Sequence, residues 1–304
     1  MSNSSLDSEV YSQPDCWSTA AEYAPRYASS LPAPGERVAV IGCGTSHYIA
    51  RAYAFAREGA GHGDTDAWPG GEARLGRDYD RLLVICRSGT TTEILDALDQ
   101  YKDRGGTAPA TIVTATPGTP VHSRGEAITL AEFDEASVVM TRFATGTLAL
   151  LRAHLGEDIA PAIADARAVL AEDPEVSLAA VRKAEQISFV GMGLGAALAE
   201  EAALKLREST RSWAEAYHAT EYRHGPISIA APGTVTWMLG ESPRGLSDQV
   251  EATGAQWIDV CATGRDPLAE LIRAQRLAVA LGAKKGLEVD NPRNLTRSVI
   301  LSEV

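Results

Sequence analysis

One device recurs along the chain and confines it to a narrow class of folds. A short run of apolar, largely β-branched residues stops at a turn rich in glycine and hydroxyl side chains, and a helical stretch follows. Arg37–Gly42 (RVAVIG) leads into Gly42-Cys-Gly-Thr-Ser46. Asp80–Cys86 (DRLLVIC) leads into Arg87-Ser-Gly-Thr-Thr-Thr-Glu93 and a helix reaching about Tyr101, and Ala110–Ala115 (ATIVTA) stops at a Pro-Gly turn. Strands that are apolar throughout, rather than alternating, need cover on both faces, as parallel strands between helical layers have. From Val138 to about Val181 the chain reads helical, and the device then restarts. Ile187–Gly191 (ISFVG) runs into Met-Gly-Leu-Gly195 and an alanine-rich helix to Glu208. Thr234–Leu239 and Trp257–Val260 supply later strands, and Asp266–Leu281 is a long amphipathic helix before a Lys-Lys-Gly stop. The expected fold class is α/β, two tandem doubly wound (flavodoxin-like) domains with parallel sheets. The expected divisions are a helical arm over 1–30, a first domain over 31–165 and a second over 166–304.

Charge narrows the ligands. Lys plus Arg total 28 against 40 Asp plus Glu, a net charge of −12. That balance argues against a nucleic-acid partner, whose phosphate backbone calls for net positive surface. A small anion needs only a few local N–H and O–H donors, so it stays compatible. Cys16, Cys43, Cys86 and Cys261 are widely spaced with no C-x-x-C pair, which reads as reduced thiols rather than a disulfide or zinc framework. The opening MSNSSLDSEVYSQPDCW lacks an apolar signal core, and no run approaches the roughly 18 apolar residues of a membrane helix. A cytoplasmic protein with no membrane partner is expected.

The turn after the second strand is the first candidate site. Gly89 sits between strand end and helix start, where unpaired backbone N–H groups carry partial positive charge. Ser88, Thr90, Thr91 and Thr92 add hydroxyls, and Gly44-Thr45-Ser46 repeats the arrangement after the first strand. Adjacent strand ends aim both turns at one point, giving an anion site formed by Gly44, Thr45, Ser46, Arg87, Ser88, Gly89, Thr90 and Thr91. Ordinary helix capping explains the same hydroxyls and stays open as the alternative. Lys205 and Glu208, three apart, share one helix face, and Glu201 extends the line. A plain salt-bridged face is the alternative there, although a helix this rich in alanine is expected to be buried, where purposeless charge is costly.

Several of these stretches, in this order, resemble a known family. Ser88-Gly-Thr-Thr-Thr-Glu93 and Gly42-Cys-Gly-Thr-Ser46 resemble the binding loops of the sugar isomerase (SIS) fold, which holds phosphosugars. Ala203-Leu-Lys-Leu-Arg-Glu208, Ala214-Glu-Ala-Tyr217, Glu221-Tyr-Arg-His-Gly-Pro226 and Pro292-Arg-Asn-Leu295 are similar to the isomerase half of the glucosamine-6-phosphate synthases. Glu9-Val-Tyr-Ser-Gln-Pro14 resembles the opening of stand-alone isomerase/deaminase relatives. The resemblance implies two tandem SIS domains acting on a sugar with a C6 anion. It gives Glu208 the role of the base that carries a proton between C1 and C2 through a cis-enediol, and makes His224 a ring-opening group donated across a homodimer interface. Lys205 is then expected to stabilise the enediolate oxygen.

The chain also departs from that pattern. The synthases carry an amide-hydrolysing domain with an N-terminal cysteine; residue 2 here is Ser2, so glutamine-dependent amination is not expected. Their tail lysine, which forms an imine with the ketose, corresponds to Arg297, and a guanidinium does not form imines. Arg297 is left to bind a sugar oxygen or the anion. Cys86 and Met140 stand where serines are found, and Arg87 replaces a glutamine. These changes leave a sulfonate open beside a phosphate. Deaminating isomerisation of an amino-sugar 6-phosphate is the first alternative activity, and a non-catalytic sugar-phosphate-binding module the second. A nicotinamide-binding reading of Gly191-Met-Gly-Leu-Gly-Ala196 lacks the strand-ending acid about 20 residues on. No cofactor is expected. The histidines His218 and His224, six apart, do not make a helix-face metal pair, and no metal is expected.

Overall fold

The computed structural model describes residues 4–259 and 261–302; Ser2 and Val260 lie outside them. Nine strands and eleven α-helices follow one another in the described residues. The strands are β1 (Val38–Gly42), β2 (Thr65–Pro69), β3 (Arg81–Ile85), β4 (Ala110–Thr114), β5 (Glu126–Thr129), β6 (Gln186–Gly191), β7 (Ala214–His218), β8 (Thr234–Leu239) and β9 (Gln256–Asp259). The helices are α1 (Ser5–Tyr11), α2 (Gln13–Arg26), α3 (Thr45–Gly59), α4 (Thr92–Asp103), α5 (Arg142–His154) and α6 (Ala160–Ala171). They continue with α7 (Pro174–Ser177), α8 (Leu194–Thr210), α9 (Ala219–Tyr222), α10 (Leu246–Glu251) and α11 (Pro267–Lys284).

Two parallel sheets result, ordered β2-β1-β3-β4-β5 and β7-β6-β8-β9. Both are doubly wound, as the recurring device implies. In the first, Ile41, Leu82, Val84 and Ile112 meet Ile94 and Leu98 of α4 on one face. Ile49 and Tyr53 of α3 are wholly buried, and α3 also packs on α5. In the second, Val190 and Met238 pack with Tyr222, Leu246 and Val250, and α8 lies along α11. Burying each such aliphatic side chain contributes roughly 1.5–3 kcal/mol relative to exposure.

The two halves also match at the level of a single turn. Gly44 before α3 has φ 55 and ψ −126, and Gly193 before α8 has φ 54 and ψ −125. This positive-φ geometry is open to glycine and strained for other residues, so the same turn is built twice.

Three strands were not legible in the sequence. β2 (TDAWP), β5 (EAIT) and β7 (AEAYH) are sheet edges, exposed along one side, and so tolerate polar residues that hide the pattern. The continuous helix expected from Val138 also breaks up. Residues 136–141 are irregular, α5 starts at Arg142, and Gly156 at φ 88 stops the chain before α6. Met140 therefore precedes the helix rather than belonging to it.

By internal contacts the chain forms two compact units. The first-sheet unit comprises Asp15–Glu135, Arg142–Ile159 and the tail from Leu295; the second-sheet unit comprises the chain up to Pro14, Ala136–Thr141 and Ala160–Asn294. These divisions fall elsewhere than 30/31 and 165/166, for packing reasons. Trp17 of α2 is wholly buried and donates to Thr145 Oγ1 at 3.0 Å, which ties α2 to the first sheet's helices. α6 packs on α11 of the second-sheet unit.

Candidate functional site

In the first-sheet unit β1 and β3 are neighbours, so the turns at Gly44–Ser46 and Arg87–Thr91 open at the same carboxyl edge of the sheet. Ligands of open α/β sheets bind at such an edge. Gly89 adopts φ +65, and a Cβ there would stand 1.9 Å from Thr119 Oγ1, so the turn requires glycine on two counts. Neither α3 nor α4 has a side-chain hydrogen bond at its N-cap. The capping alternative for these hydroxyls is thus not the arrangement found. Thr45 and Ser46 are buried at the start of α3.

The hydroxyls after β3 turn towards one another instead. Ser88 Oγ lies 3.4 Å from Thr91 Oγ1 and accepts the Thr90 N–H at 3.3 Å. At their centre stands a residue that the sequence reading missed, Ser298 of the tail. Its Oγ accepts from Ser88 Oγ at 3.1 Å and from Thr90 Oγ1 at 2.9 Å, and lies 3.3 Å from Thr91 Oγ1. The Val299 carbonyl accepts the Thr92 N–H at 3.1 Å, and the Leu301 N–H donates to Thr92 Oγ1 at 2.9 Å.

The two arginines behave differently from the expectation that they face the anion. The Arg87 guanidinium pairs with Glu135 at 2.9 Å, with both side chains almost fully buried. Its backbone carbonyl accepts from Thr114 Oγ1, Thr116 Oγ1 and the Ala115 N–H. Arg297 pairs with Asp134, donates to the Glu135 carbonyl, and reaches Thr116 Oγ1 at 3.4 Å. Both charges are therefore matched by one acidic dipeptide, Asp134-Glu135, whose role nothing in the sequence marked. Cys86 is buried with its sulfur 4.0 Å from Ser88 Oγ, and Cys43 lies 4.0 Å from Glu93 Oε2. Burial raises the Cys43 thiol to about 11, so neither the position nor the chemistry favours a nucleophile there. Cavities of about 440 and 590 Å³ flank α4, and none of Ser88, Thr90 and Thr91 lines either.

In the second-sheet unit, α8 carries the charged line. Lys205 Nζ lies 3.3 Å from Glu201 Oε1 and 2.7 Å from Glu208 Oε2, and donates to the Met140 carbonyl at 3.1 Å. Lys205 and Glu201 are 1% exposed, while Glu208 is 17% exposed and alone reaches towards solvent. Burial alone pulls the lysine's pKa down, but the Glu201 and Glu208 charges outweigh it and hold it above the ordinary lysine range. An ammonium has three N–H donors, and Glu201, Glu208 and the Met140 carbonyl are among the acceptors beside this one. These contacts hold the Lys205 ammonium directly beside the Glu208 carboxylate. Met140 matters here through its carbonyl. Glu9 of α1 fixes the same segment, accepting from the Ala136 and Ser137 N–H groups and from Ser137 Oγ at 2.6 Å.

His224 is exposed on the turn after α9; its N–H donates to the Glu221 carbonyl, and its ring makes no hydrogen bond among the described residues. β7 supplies a strand where the nicotinamide reading found none, yet it ends on His218 rather than an acid. Among the described residues no group of three or more His, Cys, Asp or Glu is placed to hold a metal, and no helix is long and apolar enough to cross a membrane.

Comparison with known proteins bears on the fold and on the isomerase-like sequence pattern. No protein-family model matches the chain. The glutamine–fructose-6-phosphate aminotransferase (isomerizing) of Caulobacter vibrioides is 28% identical over 97% of this chain and 58% of its own length. The chain thus spans a little over half the length of that curated relative. A glucosamine-6-phosphate deaminase structure from Thermotoga maritima superposes with a TM-score of 0.80, at 21% identity, over 98% of this chain and 100% of that one. The tagatose-6-phosphate ketose/aldose isomerase of Escherichia coli gives 0.79 at 15% identity, over 97% of each. With paired parallel sheets in matching strand order, the chain is thus similar in sequence to the isomerizing glutamine–fructose-6-phosphate aminotransferases and shares its fold with these phosphosugar-enzyme structures.

Proposed function

We propose that the chain is an aldose–ketose isomerase for a hexose bearing an anionic group at C6. The observation that carries this reading is the ion triad on α8, in which one carboxylate, Glu208, is held by a buried ammonium and left partly open. A structural ion pair has no need of that asymmetry. In the forward direction Glu208 removes the C2 proton of the open-chain aldose, leaving an enediolate with the charge on O1; the O2 proton passes to O1 and Glu208 returns its proton to C1, giving the ketose. Lys205 steadies the base, and Glu201 keeps the ammonium paired while Glu208 is transiently neutral. Ser88, Thr90 and Thr91 supply the donors for the anionic end. His224 is assigned ring opening, from a partner protomer of a homodimer.

Two features of the relatives and the loops support the sugar class: the fold similarity to phosphosugar enzymes and the hydroxyl-rich turn before α4. The decisive experiment follows the C2 proton of hexose 6-phosphates and 6-sulfonates in deuterated solvent. The native chain is expected to exchange it, and Glu208→Gln to lose exchange by about a thousandfold or more, since general-base catalysis alone contributes about 10²–10⁴. Retained exchange in Glu208→Gln would place the base elsewhere. Ammonia release from an amino-sugar 6-phosphate would turn the assignment to the deaminating reaction, and binding without any exchange to a sensor.

A further inference from the structure

The tail residues Ser298 and Val299 are neither in the catalytic group nor among the residues that the binding turn recommended, yet they occupy its centre. Two donors, Ser88 Oγ–H and Thr90 Oγ1–H, converge on the single oxygen of Ser298, and Thr91 Oγ1 stands beside it. A second tail oxygen, the Val299 carbonyl, takes the Thr92 N–H at the first position of α4. These are the donors that an anion on this turn would use. The neighbouring Arg297 is tied to Asp134 and the Glu135 carbonyl, so the strap is anchored on both sides of Ser298. Beyond the anchor the tail is exposed, with Val299 at 50%, Ile300 at 70% and Leu301 at 56%. A segment so little buried holds its place chiefly through those polar contacts and gives way without unfolding the unit.

We infer that Ser298 and Val299 occupy the donors of this turn in an anion's stead, and that an incoming anion displaces them. The tail and the anion are then mutually exclusive occupants of the Ser88–Thr92 turn, and anion binding frees Arg297 from its station. The inference rests on reading this turn as the anion site, and it commits the ligand to a tetrahedral oxyanion, carried as a sugar phosphate or sulfonate.

The test is calorimetric titration of the full chain with inorganic phosphate and, separately, sulfate. Ser298→Ala is expected to bind either anion about threefold to tenfold more tightly than the native chain, the worth of one competing hydroxyl contact. Phosphate is also expected to speed tryptic cleavage after Arg297, read by the mass of the released fragment. Weaker or unchanged binding in Ser298→Ala, or slower cleavage with phosphate, would make the tail part of the bound state and overturn the inference while leaving the anion site standing. If neither chain binds either anion, both the displacement and the anion-site reading fall. Because Ser298 lies outside any strand or helix, removing its hydroxyl is not expected to impair folding, which a melting curve checks.

Discussion

Replacing Lys205 by methionine separates a buried ionic triad from a surface pair. Methionine matches the length and fills the space but removes the charge. Glu201, 1% exposed, and Glu208, 17% exposed, then lose the ammonium that lies between them on α8. Removing one partner of a buried pair costs about 3–5 kcal/mol, because the partner left behind is desolvated and uncompensated. For a chain of this size that loss corresponds to a fall in melting temperature of about 6–15 °C. Arg37→Met serves as the comparison: Arg37 and Asp64 are 3.8 Å apart, 48% and 87% exposed, and an exposed pair is worth about 0–1 kcal/mol. The sign of the pH dependence follows from the lysine. Its folded-state pKa lies above the unfolded value, so its stabilisation is complete below the ordinary lysine range and is lost as pH climbs through the raised value. The gap between native and Lys205→Met chains should therefore hold steady in differential scanning calorimetry from neutral pH to about 9 and narrow above about 10.4. A Lys205→Met chain melting within about 2 °C of the native one would refute the reasoning, as would a gap that closes already at neutral pH.

Other outcomes follow from the same geometry. Gly89→Ala should weaken phosphate binding at least tenfold and lower the melting temperature, since the new methyl meets Thr119 Oγ1 and the backbone sits at φ +65; an unchanged titration would count against the turn. Ser88→Ala and Thr91→Ala are each expected to cost about 0.5–1.5 kcal/mol of affinity for an anionic sugar and almost nothing for its neutral analogue, and equal losses for both sugars would move the anion elsewhere. Mixing Glu208→Gln and His224→Ala chains should restore part of the proton exchange that each lacks alone if the histidine is supplied by a partner protomer, and a dead mixture would deny that sharing.

The sequence made the central architecture readable because β1, β3, β4, β6 and β8 are buried on both faces and therefore run largely apolar. Edge strands carry no such requirement, and β2, β5 and β7 went unseen for that reason. The glycine turn before α4 was legible as well, since the positive φ at Gly89 is a local backbone need that the sequence states directly. The charged line of α8 was visible from spacing, but its asymmetry was not: only packing distinguishes Glu201 from Glu208. Long-range pairings were the least accessible. Glu135 under Arg87, Asp134 under Arg297, Glu9 over Ser137 and Ser298 among the threonines join residues 48, 163, 128 and about 210 positions apart, and no local pattern announces such partners.

The two sheets share a strand order but not the chemistry of the turns after their third strands, and this bears on stoichiometry. After β3 the chain offers a run of hydroxyls leading into the twelve-residue α4; after β8, the corresponding strand of the other sheet, it offers Gly240-Glu241-Ser242-Pro243 and then only the six-residue α10. A carboxylate at that station repels what the first station attracts, and proline withholds an N–H. Architectural symmetry is thus not matched by chemical symmetry, and each polypeptide should take up one oxyanion rather than two at saturation.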